Sequence, residues 1–394
     1  MFQLFPPSVV RMLFWTNNKG HYIFFKFSSM RNSNWQVTSC KREDLQLNLT
    51  LTGGQSFRWK YSEENGEFTG VFADRVWKLK QSEESLFFKT YGKPNIDDAL
   101  ERDNGSENRR NRHERVKKGL KTSRVNVKES PGLETEEDLL RQYLRLDVDL
   151  QSLYDEWGSR DPHFAEAAKA FFGVRILKQE PVENIFSFIC ATNNHISRIS
   201  SMVEKMCIKF GVPIAEVDGA VYHSFPDPSK LAGADAEQWM RDNGFGYRAK
   251  YIRGSAEIVT DSKNQGESWL DNLLSMKYED AKAELTKLPG IGAKVADCIC
   301  LMSLGHLCAV PVDTHVHQIA IRRYTPHLAK YKTVTPAVYD EIGGHFRKLY
   351  GDLAGWAHTI LFCADLKMFK GMTENGKTNK SDIMSNKRKK QKNC

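Results

Sequence analysis

Residues 285–320 read LTKLPGIGAKVADCICLMSLGHLCAVPVDTHVHQIA and contain the turn that decides the fold. Gly290 and Gly292 bracket Ile291 between two apolar segments, which predicts two helices joined by a short hairpin. The first backbone N–H groups of the second helix have no partner within that helix, so they can bind a phosphate. Such a hairpin holds the DNA backbone without reading bases. A tight turn without any ligand is the alternative.

A lysine stands close to the start of the second, apolar helix. Lys294 follows Gly292 by two residues and begins the run KVADCICLM. Burial disfavours the ammonium form, so we predict that the pKa of Lys294 falls and that its neutral amine is a nucleophile. Cys298 lies one turn later on the same face, where it can exchange a proton or pair electrostatically with Lys294.

The second candidate group is the carboxylate of Asp313. It follows Pro311 and precedes an apolar helical segment, which predicts a helix N-cap. As a cap alone it would contribute about 1 kcal/mol. As a catalytic group it would stabilise positive charge that develops on a sugar, as the carboxylates of glycosidases do. Its position downstream of the hairpin and of Lys294 favours the catalytic interpretation.

Composition narrows the class of protein. The chain has 394 residues, a formal net charge of +8 and 40% hydrophobic residues, so most of it folds and a polyanion such as nucleic acid is the favoured partner. The eight cysteines form no C-x-x-C pair and no zinc spacing. We therefore expect a reduced intracellular protein with no metal and no cofactor. No apolar run reaches the roughly 18 residues of a membrane helix, so we expect no membrane partner.

The patterning of the chain predicts the α+β class: an N-terminal antiparallel β-sheet domain, followed by a mainly helical two-part body with the helix–hairpin–helix motif around 280–305. Short alternating runs, beginning with LQLNLTL at 45–51, are typical of strands, and helical spacing of apolar residues begins at residue 137. The predicted segments are a basic, acid-free extension over 1–42, the sheet domain over 43–172 with a disordered charged insertion over 93–136, the helical body over 173–368 and a basic disordered tail over 369–394.

Both ends of the chain carry basic sequence. Residues 1–42 contain six Lys or Arg and no acid, which is typical of a mitochondrial transit peptide. An untargeted extension, or translation that starts at Met30, is the alternative. The sequence NKRKKQKN at 386–393 predicts a nuclear localisation signal or a phosphate-binding tail. We expect a nuclear protein, with the mitochondrion as a second location.

Five motifs narrow the family: GGQSFRW (53–59), FSFICATNN (186–194), GFGYRAKYI (244–252), LPGIGAKVADCICLM (288–302) and GWAHTILFCADL (355–366). In this order they resemble the eukaryotic 8-oxoguanine DNA glycosylases of the helix–hairpin–helix superfamily, over 40–92 and 137–368. The resemblance implies that Lys294 attacks C1′ of a flipped nucleotide, expels the base and leaves a Schiff base. The strand can then be cut by β-elimination. Asp313 would stabilise the cationic sugar.

The resemblance also implies a pocket for the damaged base. A backbone carbonyl of Gly54 would accept the N7–H that oxidation gives to guanine, whereas normal guanine presents an acceptor there. Cys298 and Phe362 would lie on the two faces of the base, with Met302 in the same pocket and His315 near the adjoining phosphate. Without the surrounding GQSFRW, a strand bulge would be the favoured interpretation of Gly54.

On the opposite strand, the resemblance implies that three residues fill the vacated stack and read the orphan cytosine, namely Asn193, Arg198 and Arg248. Tyr247 would be the wedge. Without the resemblance, the arginines would be interpreted as parts of solvated faces.

Two residues depart from the family pattern. His358 stands where the family has a pocket glutamine, and His195 replaces the third of three consecutive asparagines. A histidine can donate or accept through either ring nitrogen, and its protonation would make base recognition pH-sensitive.

The predicted function is that of a monomeric, bifunctional glycosylase and lyase that removes 8-oxoguanine opposite cytosine in double-stranded DNA. Endonuclease III-type glycosylases for oxidised pyrimidines usually carry a four-cysteine iron–sulfur loop after the catalytic aspartate. Here only Cys363 and Cys394 follow Asp313. An alkylation-repair glycosylase would lack Lys294. A catalytically silent DNA-binding module is the alternative from a different class.

Overall fold

The computed structural model describes residues 13–16, 22–25, 34–92, 135–261 and 269–366. Strands β1 (Leu13–Thr16) and β2 (Tyr22–Phe25) form an antiparallel pair. The rest of the chain lies outside the described residues, including most of the predicted extension, residues 93–134 of the predicted insertion and the predicted tail over 369–394. The expectations of disorder and targeting for those segments stay predictions.

An antiparallel sheet of five strands forms the N-terminal part of the fold, as predicted. Its strands follow the order β3-β7-β6-β5-β4. They are β3 (Gln36–Ser39), β4 (Lys60–Ser62), β5 (Glu67–Phe72), β6 (Arg75–Gln81) and β7 (Ser85–Tyr91). Ala73 and Asp74, both at positive φ, form the two-residue turn between β5 and β6 that tight hairpins favour. The sheet begins at Gln36, inside the stretch predicted to be the extension over 1–42.

The run LQLNLTL is not the strand that its alternation predicts, because it contains helix α1 (Leu47–Thr52). Leu49 packs into the core of the helical body, whereas Leu47 and Leu51 pack into the core of the sheet. The helix is thus buried on two sides. Alternation of apolar residues indicates a strand only when one face is buried and the other is solvated, and that condition fails here.

A mainly helical body follows the sheet, which confirms the α+β class. A hairpin of β8 (Pro213–Val217) and β9 (Ala220–His223) interrupts the helices and packs against the sheet through Ala215 and Val217. The described α-helices of the body are α2 (Glu136–Tyr143), α3 (Leu150–Arg160), α4 (Pro162–Ala168), α5 (Pro181–Ala191), α6 (Ile196–Phe210), α7 (Ala234–Asp242), α8 (Arg248–Thr260), α9 (Trp269–Ser275), α10 (Tyr278–Leu285), α11 (Ala293–Met302), α12 (Thr314–Arg323), α13 (Pro336–Tyr350) and α14 (Ala354–Asp365).

The start of α2 shows that the insertion predicted over 93–136 is two residues too long at its C-terminal end. Thr135 Oγ1 accepts a hydrogen bond from the Asp138 N–H at 3.1 Å, and Asp138 Oδ2 accepts one from the Thr135 N–H at 3.0 Å. This reciprocal capping box begins the helix at Glu136. Thr135 and Glu136 therefore belong to the folded body.

Two large buried clusters hold the molecule together. The larger lies within the helical body and includes Trp157, Phe186 and Trp356. The smaller lies between the sheet and α2 and includes Trp77 and Leu140. Helices α3 and α4 contribute to the larger cluster, although the predicted sheet domain extends to residue 172. The division into 43–172 and 173–368 stays a prediction.

Candidate active site

The predicted helix–hairpin–helix is present, because α10 ends at Leu285 and α11 begins at Ala293. Gly290 has a φ of +84°, and a Cβ there would lie 2.6 Å from the ring of Tyr251, so glycine is required. Gly292 is the N-cap of α11, and no side chain among the described residues caps the helix. The N–H groups of the first turn are therefore available to an external acceptor, which is the geometry that binds a phosphate.

Lys294 lies in the first turn of α11 and is half-buried. Its Nζ lies 5.7 Å from the ring centroid of Phe188 on α5. Its ammonium group interacts electrostatically with Cys298, one turn further along the helix, and with the carboxylate of Asp313. This is consistent with the predicted electrostatic pairing of Lys294 with Cys298, and the structure adds Asp313 to it.

The prediction that the pKa of Lys294 falls is wrong. Interaction with Cys298, helped by the carboxylate of Asp313, raises the pKa of Lys294 above its ordinary value and outweighs the opposing effect of burial. Burial also raises the pKa of the Cys298 thiol to about 11. Near neutral pH the free protein therefore holds Lys294 as an ammonium ion, with a thiol and a carboxylate beside it, and the lysine must lose a proton before it can act as a nucleophile.

Asp313 is the N-cap of α12, as predicted, because its Oδ1 accepts a hydrogen bond from the Val316 N–H at 3.0 Å. The carboxylate also interacts with both Lys294 and His358. The cap holds the carboxylate where it meets the lysine. The same position of Asp313 therefore serves both predicted roles, as the N-cap of α12 and as a carboxylate close to Lys294.

Helix α14 supplies the aromatic wall of the site. The buried ring of His358 lies almost parallel to that of Phe362, with 24° between the planes and 6.5 Å between the centroids. Neither ring nitrogen of His358 has a hydrogen-bond partner among the described residues. Burial lowers the pKa of His358 to about 4, although Asp313 raises it in part. The imidazole is neutral at physiological pH, and pH-sensitive base recognition through its protonation stays a prediction.

His315 stands at the edge of this wall. Its ring meets that of Phe362 edge-on, with centroids 6.2 Å apart and an angle of 81°. Its Nδ1 lies 3.7 Å from Oδ2 of Asp365, and Arg322 donates to Oδ1 of the same carboxylate at 2.7 Å. The half-buried His315 is thus held beside Phe362, at the rim where the resemblance predicts a phosphate contact.

Gly54 lies in the loop that follows α1, and not in the strand bulge that was the structural alternative. Its φ of +86° is in the left-handed region that favours glycine. A Cβ on the neighbouring Gly53 would lie 3.4 Å from Sγ of Cys363 on α14. The loop therefore runs beside α14, the helix that also carries His358 and Phe362.

Gln55, which the sequence did not single out, holds this loop. Its Nε2 donates to the Arg175 carbonyl at 2.7 Å, and its Oε1 accepts from the Leu177 N–H at 3.0 Å. Gln179 donates through Nε2 to the Gln55 carbonyl at 2.9 Å and through its N–H to the carbonyl of Met302 at 2.8 Å. The Gly54 loop is thereby tied to the end of α11, and the only sequence signal for Gln55 is its place in GGQSFRW.

The residues predicted to face the opposite strand gather at the end of α5. The exposed Asn193 has a φ of +47°. Arg248 is buried and donates through Nε to the Thr192 carbonyl at 3.2 Å and through Nη2 to the Asn193 carbonyl at 3.0 Å. Tyr247 is 47% exposed, and its ring centroid lies 4.7 Å from Cζ of Arg248. In the free protein Arg248 supports the loop, while Tyr247 projects as a wedge requires.

The same surface includes the start of α6. His195 is the N-cap of α6, and its Nδ1 accepts a hydrogen bond from the Arg198 N–H at 3.3 Å. The histidine that replaces the family's third asparagine therefore performs a capping role for which asparagine is also suited. The side chain of Arg198 is exposed and donates through Nη2 to the Gly244 carbonyl at 3.1 Å.

A buried carboxylate that the sequence did not single out lies on α11 between Lys294 and Cys298. Asp297 is fully buried, accepts a hydrogen bond from Tyr278 Oη at 2.8 Å and pairs with Lys282 Nζ at 3.0 Å. The one signal in the sequence is an acid inside the apolar run KVADCICLM.

Over the described ranges, no group of three or more His, Cys, Asp or Glu side chains could hold a metal ion. Within the same ranges, no helix is both long and apolar enough to cross a membrane.

The fold and the site together define a class of protein. A five-stranded sheet precedes a helical body, and a hairpin in that body brings a lysine in the first turn of one helix to an aspartate that caps another. This is the arrangement of a helix–hairpin–helix base-excision DNA glycosylase.

Comparison with known proteins narrows this class to a family. Residues 37–185 match the family model of the 8-oxoguanine DNA glycosylase N-terminal domain, and residues 186–337 match that of the HhH-GPD superfamily of base excision DNA repair proteins. The chain belongs to the 8-oxoguanine DNA glycosylase family, which confirms the resemblance in its motifs.

Individual relatives cover most of the chain. It is 33% identical to N-glycosylase/DNA lyase OGG1 of Arabidopsis thaliana over 340 residues, 86% of this chain and 82% of the relative. It is 34% identical to N-glycosylase/DNA lyase of Saccharomyces cerevisiae over 365 residues, 85% of this chain and 87% of the relative. A solved structure of Clostridium acetobutylicum 8-oxoguanine glycosylase/lyase, with double-stranded DNA containing cytosine opposite 8-oxoG, superposes with a TM-score of 0.62 at 25% identity and covers 81% of this chain and 91% of that one.

Proposed function

We propose that this protein is an N-glycosylase/DNA lyase that excises 8-oxoguanine opposite cytosine from double-stranded DNA. The observation that supports this most is the convergence of Lys294, Cys298 and Asp313 at the N-terminal end of α11, directly after the hairpin turn. The hairpin binds a backbone phosphate, so a nucleotide flipped out of the duplex beside it meets the lysine.

Lys294 is the nucleophile of the reaction. After its ammonium group loses a proton, the amine attacks C1′ of the flipped nucleotide and the N-glycosidic bond breaks. The electron pair of that bond leaves with the base, which takes up a proton. Asp313 stabilises the positive charge on the sugar while the bond breaks. The sugar ring then opens to a Schiff base, and loss of a C2′ proton expels the 3′ phosphate and nicks the strand.

The walls of the site suit a flipped, oxidised purine. Phe362 offers a partly exposed ring on which the base stacks. A carbonyl of the Gly54 loop accepts the N7–H that 8-oxoguanine has and guanine lacks. Neither ring nitrogen of His358 is hydrogen-bonded to any residue that the structure describes, so its neutral ring can donate to the base or accept from it.

The opposite base is cytosine because its O2 and N3 are acceptors, which suit the guanidinium donors of the exposed Arg198. Arg248 reads it only if DNA binding releases its donors from the Thr192 and Asn193 carbonyls. The exposed Tyr247 enters the duplex beside them. We also propose that the protein acts as a monomer in the nucleus, with the mitochondrion as a second location. The two locations are supported by the basic sequence near both ends of the chain. The monomer is supported by the site, whose described residues all come from one chain.

The deciding experiment measures cleavage of duplexes that carry 8-oxoguanine, thymine glycol or 3-methyladenine opposite each of the four bases, with and without borohydride. We expect excision of 8-oxoguanine opposite cytosine and a borohydride-trapped covalent complex. Preference for thymine glycol would indicate an oxidised-pyrimidine enzyme, and preference for 3-methyladenine an alkylation-repair enzyme. Tight lesion binding without excision or trapping would indicate a silent DNA-binding module.

A further inference from the structure

Tyr339 of α13 joins the two elements that carry the catalytic pair. Its hydroxyl donates a hydrogen bond to Oδ2 of Asp297, on the same helix as Lys294. The hydroxyl oxygen of Tyr339 also accepts a hydrogen bond from the N–H of Val312 at 3.4 Å, and Val312 directly precedes Asp313. One buried hydroxyl thus bridges α11 and the loop over 310–313.

Asp297 is a suitable anchor for this bridge. It is fully buried, it pairs with Lys282 Nζ at 3.0 Å, and it accepts a second hydroxyl, that of Tyr278, at 2.8 Å. A buried ion pair with its hydrogen bonds contributes little net stability compared with apolar residues of the same volume. This cluster lies on α11, the helix that carries Lys294. It is therefore better explained by the geometry that it holds than by the stability that it adds.

We propose that Tyr339 is a positioning residue for the reaction, whose hydroxyl holds the loop of Asp313 against the helix of Lys294. The inference rests on the proposed glycosylase activity and assigns a role within it. Tyr339 is buried and takes no part in the chemistry. Tyr339 sets the position of the Asp313 carboxylate relative to the Lys294 amine. A displacement of about 1 Å between such groups can lower the rate roughly a hundredfold.

The chain provides a matched control for this role. Tyr278 and Tyr339 both donate a hydroxyl to Asp297, so replacing either with phenylalanine removes one hydrogen bond from the same carboxylate. Among the described contacts, the Tyr278 hydroxyl also meets Lys282 but does not reach the loop over 310–313. Only Tyr339→Phe leaves the Val312 N–H without its partner.

The test measures single-turnover excision of 8-oxoguanine opposite cytosine, together with duplex affinity and Tm. We expect Tyr339→Phe to lower the excision rate constant at least about tenfold with affinity within about twofold of wild type. Tyr278→Phe should lower the rate constant less than about threefold at a similar Tm. If the two variants lost the same fraction of the excision rate, Tyr339 would contribute only to the stability of the fold, and the proposal would be overturned.

A double-mutant cycle shows whether Tyr339 acts through Asp313. In an Asp313→Asn background, Tyr339→Phe should change the residual rate less than about twofold, because the charge that it positions is gone. The same tenfold loss in both backgrounds would overturn the proposal while leaving the glycosylase function intact. Absence of excision by the wild-type protein would instead overturn the proposed function, so the two failures are distinguishable.

Discussion

Lys294 and Asp313 face each other from the N-terminal ends of two helices, Lys294 in the first turn of α11 and Asp313 as the N-cap of α12. The positive end of a helix dipole favours a carboxylate and disfavours an ammonium ion. The pKa of Lys294 is nevertheless raised, because Cys298 and Asp313 lie beside it. Lys294 is therefore held as an ammonium ion in the free protein, and loss of its proton is part of the route to the covalent intermediate.

Replacement of the nucleophile separates chemistry from binding. We expect Lys294→Gln to abolish both base release and borohydride trapping, and to leave affinity for the lesion duplex within about tenfold, because backbone and opposite-strand contacts supply most of the binding. Lys287→Gln is the control. Lys287 is an exposed hairpin lysine paired with Glu284, and its replacement should retain trapping. Trapping that persisted in Lys294→Gln would place the nucleophile elsewhere.

Two substitutions of Asp313 separate its cap from its charge. Asparagine keeps an oxygen for the Val316 N–H, so Asp313→Asn should change the unfolding free energy by no more than about 1 kcal/mol, whereas Asp313→Ala should lose about 1 kcal/mol more. Both should lower the excision rate about a hundredfold or more, because both remove the charge that stabilises the sugar cation. Urea unfolding and single-turnover kinetics measure the two effects. Wild-type excision by Asp313→Asn would reduce Asp313 to a cap.

The buried His358 should make the fold sensitive to acid. Its pKa is about 4 in the folded protein, and about 6.5 in an unfolded chain. As the pH falls below 6.5, His358 binds a proton in the unfolded state but not in the folded state. The free energy of unfolding therefore decreases until the pH reaches the pKa of His358 in the folded protein. Between pH 7 and 4.5 this costs about 2 kcal/mol. Urea unfolding should show a shallower loss in His358→Gln. Parallel curves for the two proteins would contradict the assignment.

Selectivity for the opposite base should depend on Arg198. Adenine opposite the lesion presents a mismatched edge and a larger ring, so excision opposite cytosine should be roughly ten- to a hundredfold faster in kcat/KM, which corresponds to about 1–3 kcal/mol. Arg198→Ala should slow the cytosine reaction and narrow that gap. Lys205→Ala is the control, because Lys205 lies on the same helix and also donates to a backbone carbonyl, that of Asn243. Lys205→Ala should change kcat/KM by the same factor for the lesion opposite cytosine and opposite adenine.

Equal rates opposite cytosine and adenine in the wild-type protein would remove the basis for the roles of Arg198 and Arg248. Such a result would favour a less selective glycosylase of the same superfamily.

The basic cluster near the C-terminus should direct the protein to the nucleus. Deletion of residues 387–392, which lie outside the described residues, removes the densest basic cluster of the chain and should reduce nuclear accumulation of a tagged protein. Deletion of residues 372–377, six residues of the same tail, is the control and should not. An unchanged distribution would leave the cluster with no role in targeting.

Local sequence was sufficient to predict the elements whose signals are local. The glycines of LPGIGAK predicted the hairpin, because a positive φ at Gly290 and a close approach to Tyr251 require glycine. Asp313 was predicted as an N-cap from the residues around it. Alternation failed at LQLNLTL, because two different cores bury the two sides of α1, and a local pattern does not reveal how many faces of an element are covered.

The sequence by itself determined the α+β class, the hairpin, the family and the identity of the lysine and the aspartate, because these depend on residue types at short spacings. Only the tertiary structure decided the charge state of the site. Cys298, on the same helix, raises the pKa of Lys294 most, but Asp313 adds to it and burial opposes it, and burial lowers the pKa of His358; elements distant in sequence supply Asp313 and the burial. The structure alone also brought Tyr339 to Asp297 and Val312, since contacts between separate helices and loops leave no mark at any fixed spacing along the chain.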